Sequence, residues 1–319
     1  MGKRIASSLL LIAMLALGAV SVAVAQDNLT DDPVKIQIYT QFYQNRENNK
    51  SIAYKAARDY LARYTKDKDQ YVDFLQKWTA AYERDERKRM LPGLINEKNF
   101  SEAYSAGARI LADEPDNLRA QIDLGYAGYI ALSSNNTTYT TDALGYARKA
   151  IAAIEAGKVP SEWAPFKGKD DTLAYLNFAV GFMVLKTAPD QAIDSLIKAA
   201  AYESAIKKNP RTFYALAAAY ESGPYKTLSA AYQTNFGGKD ETPQSKAALE
   251  KINVVIDRMI DAYARAIALA TDPSMEQSKT TWMGALTSYW KFRHAGAVTG
   301  LTEFISSALT RPLPPKPAI

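Results

Sequence analysis

The chain has 319 residues, 47% of them hydrophobic, with 39 Lys and Arg against 34 Asp and Glu. That is enough apolar material for a continuous core, and the absence of cysteine excludes disulfides and thiol chemistry. The formal charge of +5 falls to +3 once Lys3 and Arg4 leave with a leader, too little to argue for a nucleic-acid partner. Long β-branched runs are nearly absent, while alanine and 20 Tyr stand out, a composition that suits close-packed helices rather than a sheet.

Residues 1–25 read as a Sec signal peptide cleaved after Ala25. Lys3 and Arg4 form the basic start, Ile5 to Val22 the apolar run and Ala23-Val24-Ala25 the small-x-small cleavage site. An uncleaved anchor is the competing reading, because the run approaches spanning length. Its Ala, Ser and Gly content and its ending favour cleavage. The expected location is therefore the periplasm or the outside of a bacterial cell, with no stable membrane anchor after cleavage. No cysteine follows the site, which excludes a bacterial lipid anchor.

Residues 26–92 are expected to form N-terminal helical repeats. Asp31-Asp32-Pro33 predicts a helix start, followed by a stripe of Ile38, Tyr39, Phe42 and Tyr43. Ser51 is expected to cap a second helix with Ala53, Ala57, Tyr60, Leu61 and Tyr64 inward. Tyr71, Phe74, Leu75, Trp78 and Tyr82 mark a third, which runs into the sign-alternating stretch 83–89. That stretch is a solvated face rather than a basic block. Pro92-Gly93 is expected to interrupt or kink the chain.

Residues 93–222 carry the clearest pattern. Phe100, Ala103, Gly107, Ile110, Leu111 and Pro115 stand at helical spacing, and Asp116-Asn117 begins a helix containing Leu124-Gly125. Asp142 is expected to cap the next helix, and Trp163 and Phe166 in the loop from 158 to 171 to plug a gap. The organising stretch is 172–200. Tyr175, Phe178, Ala179 and Phe182 form one helical face; Ala192, Leu196, Ala199 and Ala200 form another, across a turn at Thr187-Ala188-Pro189-Asp190. The second helix is expected to extend through Lys208 and end at Asn209-Pro210. Phe213, Leu216, Ala217 and Tyr220 then repeat the pattern, stopped by Gly223-Pro224. This alternation of aromatic, Leu-Gly/Ala, aromatic and spaced alanines resembles the tetratricopeptide repeat in degenerate form. The resemblance implies an all-α fold, a right-handed superhelical array of antiparallel helix pairs, and a scaffold that binds protein or peptide.

Residues 223–311 are expected to continue the array. Thr242-Pro243 starts the longest helix, with Leu249, Ile252, Ile256, Met259, Ile260, Tyr263 and Ile267 as its apolar stripe. Trp282, Ala285, Leu286 and Tyr289 restate the repeat signature. The tail PLPPKPAI, residues 312–319, reads as an extended, unstructured terminus.

The catalytic inventory is thin. His294 is the only histidine, which excludes a multi-histidine metal site, and its place near a helix end is the simple reading. Gly237-Gly238-Lys239 lacks the remainder of a phosphate loop. Asp170-Asp171 could serve acid–base work on a glycan, yet their position just before Thr172 suits a helix start. The expectation is a non-enzymatic envelope scaffold without cofactor or metal, its oligomeric state left open. A glycan-binding component using concave aromatics is the alternative, and an all-α hydrolase ranks below it.

In the resembled family the first helix of each pair lines a concave groove. Transferring that pattern places Arg119, Asp123 and Tyr126 on the groove side, then Asn177, then Arg211 and Tyr214, then Trp290 and Lys291. Asn177 would bond a ligand backbone, or else a neighbouring helix. Arg119 and Arg211 would hold a carboxylate, and Tyr126 and Tyr214 would supply flat contact.

Overall fold

The computed structural model describes residues 32–318, so the expected leader and its cleavage site lie outside it. Among the described residues the chain is all-helical, with no strand. The helices are α1 (Pro33–Asn45), α2 (Lys50–Tyr64), α3 (Gln70–Asn96), α4 (Phe100–Asp113), α5 (Leu118–Ser133), α6 (Thr140–Glu155) and α7 (Lys169–Val184). They continue with α8 (Pro189–Ala201), α9 (Pro210–Tyr220), α10 (Lys226–Phe236), α11 (Pro243–Leu269), α12 (Glu276–Arg293) and α13 (Leu301–Ser306). The chain divides into two compact units between Arg89 and Met90.

The first unit packs α1 on α2 around Ile38, Phe42, Ala53, Ala57, Tyr60, Tyr71 and Leu75. Asp32 caps α1 by accepting from the Val34 and Lys35 backbone, as the Asp-Asp-Pro start predicts. One charged side chain lies inside. Lys35 is 2% exposed, and its ammonium donates to Asp67 at 2.6 Å and Asp69 at 2.8 Å.

In the second unit α5 packs on α6, α7 on α8, and α9 on α11. Helix α7 is the keystone. Leu173, Leu176, Ala179, Val180 and Met183 face one core with α4–α6, while Ala174, Phe178 and Val184 face a second core with α8–α13. A helix apolar on all sides is one buried on all sides. Small residues allow the approach of α5 to α6: a Cβ on Gly128 would collide with the Ala143 Cβ. Gly128→Ala is therefore expected to cost about 1–3 kcal/mol through overpacking. Gly145→Ala, in open space on α6, should instead add roughly 0.5–1 kcal/mol. Urea unfolding of the two variants checks both signs.

Several local expectations are corrected. Helix α3 continues through Pro92 to Asn96, because Leu91 and Ile95 are buried in the core that begins there and that packing outweighs one missing backbone bond. Helix α8 ends at Ala201, not Lys208: Tyr202 turns extended, and a short 3-10 turn at Ile206–Lys208 buries Ile206 before Asn209 caps α9. Gly223-Pro224 does not end in a loop. A five-residue π turn, Glu221–Tyr225, carries α9 into α10, and Gly223 lets Pro189 approach closely. Helix α2 begins at Lys50 and α6 at Thr140, each ahead of the expected capping residue. The Thr242-Pro243 start holds, with a capping box between Thr242 and Ser245.

Candidate functional site

The residues suggested by the repeat resemblance fall into different settings. Arg119, Asp123 and Tyr126 do form one strip on α5. The Arg119 guanidinium reaches Asp123 at 2.7 Å and Glu162 of the loop between α6 and α7 at 3.1 Å. Tyr126 meets Phe166 and Tyr175 edge-on, with centroids at 5.3 and 5.6 Å, so Phe166 does fill an interhelical space. Asn177 is 3% exposed and donates its amide to the Leu173 carbonyl of its own helix at 2.8 Å. That bond lets a polar side chain sit inside without a ligand.

Arg211 and Lys291 are exposed, with no hydrogen bond or ion pair on either side chain among the described residues. Tyr214 is 39% exposed and stacks on Trp282 at 5.0 Å. Trp290 is buried, stacked on His294 at 4.0 Å and against Phe304 at 5.1 Å. His294 lies at the C-cap of α12, its Nδ1 2.9 Å from the Trp290 carbonyl. Asp171 accepts from the Lys167 backbone at 3.0 Å in the first turn of α7, a helix-start role.

Asp123 has a pH signature. Burial pushes its carboxyl up to about 6, outweighing the lowering by Arg119 beside it. An acid whose folded pKa lies above its unfolded value costs stability as it ionises. This contribution is therefore favourable below about pH 4 and fades as pH rises to about 6. Asp123→Asn is expected to lose that fall, so variant minus wild-type stability should grow by ~2–3 kcal/mol between pH 4 and 6.5. Urea midpoints across that range measure it; a flat difference contradicts the assignment.

A more developed site was not among the expected residues. The tail does not hang free: residues 311–316 lie against α11 and α8. Arg265 donates to the Arg311 carbonyl at 3.0 Å and the Pro312 carbonyl at 2.8 Å. Arg258 donates to the Pro315 carbonyl at 2.9 Å. Lys316 donates to Asp194 at 3.0 Å and to the Asp190 carbonyl at 3.2 Å on α8. Leu313 packs on the apolar core.

Charge is set beneath these contacts. Arg265 and Asp261 are each about 5% exposed and paired at 2.6 Å, with Arg311 adding a second cation to Asp261 at 3.3 Å. Arg311 also donates to the Phe304 carbonyl at 2.8 Å and lies over the Phe304 ring. Arg258, Asp261 and Arg265 stand at i, i+3 and i+7, one stripe along the C-terminal half of the helix. Those three residues were the sequence signal that could have found the seat.

Among the described residues no group of three or more His, Asp or Glu side chains could share a metal ion, and no helix is long and apolar enough to cross a membrane. Comparison with protein-family models, with curated proteins and with solved structures returns no match.

Proposed function

We propose that the chain is an exported, non-catalytic scaffold of the bacterial envelope. Its helix pairs build a tetratricopeptide-like right-handed superhelical array that binds a protein or peptide partner. The observation that carries this reading is the seat of the tail, where buried and half-buried arginines hold main-chain carbonyls of an extended segment. Hydrogen bonding to a backbone, with one apolar and one charged side chain for register, is how grooves take peptides. Export is supported by the leader-like residues 1–25.

The test is selection of peptides from a random display library on a chain whose tail is replaced by alternating glycine and serine. A shared motif among the selected peptides is the expected result. The glycan alternative draws support from the exposed Tyr214 face on Trp282. It predicts a raised Tm with soluble oligosaccharides and no peptide enrichment, and that pair of results would overturn the scaffold reading.

A further inference from the structure

We infer that the seat of the tail is a docking groove for an extended, proline-containing, basic segment of a partner protein, which residues 312–317 of the chain itself occupy until displaced. This rests on the scaffold reading above and names its ligand.

Two periods match. Arg258 and Arg265 lie seven residues apart on α11, two turns or about 10.5 Å. The carbonyls they hold, of Pro315 and Pro312, lie three residues apart, one polyproline turn or about 9.3 Å. The helix thus presents donors at the pitch of a polyproline ladder running antiparallel to it. Arg311, with φ −83° and ψ 146°, already has that conformation. Every residue from 311 to 317 is a proline or precedes one, so φ and ψ are restricted to extended values before docking.

The tail also behaves as a ligand, not as core. No residue of 312–318 is buried, whereas Ala308 is fully so. The segment can leave without opening the apolar interior. It is gripped by its carbonyls, which any peptide has, and selected by Leu313 on the core and Lys316 between Asp190 and Asp194.

The experiment uses the full chain with residues 312–319 replaced by alternating glycine and serine, and N-acetylated fluorescent peptide PLPPKPAI. Circular dichroism first establishes that the fold persists; if it does not, the titration uses full-length Lys316→Glu, in which the tail is held less firmly and the groove is unaltered. Saturable binding is expected, weakened at least tenfold when the four prolines are alanine and about fivefold or less when the lysine is glutamate. The unaltered chain should bind roughly tenfold more weakly or worse, because its own tail competes at high effective concentration. Arg258→Ala in the tail-replaced chain should lose about tenfold, one charge-assisted bond. Absence of binding while library peptides of other composition are taken up overturns this inference and leaves the scaffold reading standing. Absence of both overturns the two together. Equal binding of the alanine peptide overturns the proline requirement and with it the inference.

Discussion

Arg265→Met is expected to destabilise the second unit by about 3–5 kcal/mol, the cost of leaving a buried charge without its main partner. Asp261 is about 5% exposed and would keep only Arg311, at 3.3 Å and itself on the segment that leads into the tail. Two carbonyls of that segment would lose their donor at the same time. The loss therefore has two readouts, a lower urea midpoint and a tail newly open to a proline-specific endopeptidase after Pro315. The double variant Arg265→Met with Asp261→Leu separates them. It removes the charge with its partner and should recover most of the stability while the tail remains loose. A single variant costing under 1 kcal/mol would mean that the pair is hydrated and that the seat is not built around it.

The second large effect belongs to the first unit. Asp67→Asn with Asp69→Asn leaves the Lys35 ammonium buried and unpaired, and is expected to cost roughly 3–5 kcal/mol. The figure belongs at the lower end, since Asp67 is half-exposed and its pair with Lys35 is partly screened. Lys35→Met on that background should restore stability, because a buried apolar side chain then replaces the stranded charge. The pH dependence follows. Burial would lower the Lys35 pKa, but the two carboxylates outweigh it and hold it above the ordinary lysine value. Burial would likewise raise Asp69, and Lys35 overcomes that to hold it below the usual carboxylate range. A raised lysine stabilises fully below about pH 10.4 and a depressed aspartate fully above about pH 4. The first unit should hold a plateau between those limits, whereas Asp123 makes the second fall between pH 4 and 6. Unfolding followed separately at Trp78, in the first core, and Trp282, in the second, measures the contrast.

The helices were legible where periodicity and end signals agreed. The start of α11 at Thr242-Pro243 was readable because it is set by neighbours within a turn, whereas Phe178 and Ala179, expected on one face of α7, enter different cores because helices pack on both sides of it. Pro92 does not interrupt the chain, because a local rule met a nonlocal one: burial of Leu91 and Ile95 holds the helix together around the proline. Asn177, expected to bond a ligand backbone or else a neighbouring helix, is buried with its amide donating to the carbonyl four residues back, a pairing that the sequence pattern does not distinguish from the others. The tail was legible in conformation and not in place. Its prolines announce an extended chain, but its seat is made by residues some fifty positions earlier on α11 and by Asp190 and Asp194 on α8. No local pattern carries that pairing; only the unexplained polar stripe of Arg258, Asp261 and Arg265 hinted at it.

An exchangeable tail in a peptide groove changes its distance from α8 when a competing peptide arrives. Because the chain has no cysteine, Gln191→Cys on α8 and Ala318→Cys at the end of the tail can be spin-labelled without competing sites. Pulsed dipolar spectroscopy of that pair is expected to give one short, narrow distance distribution. Excess unlabelled peptide PLPPKPAI should convert it to a long, broad one as the tail is displaced. A distribution that stays short at saturating peptide would show a fixed strap and contradict the account.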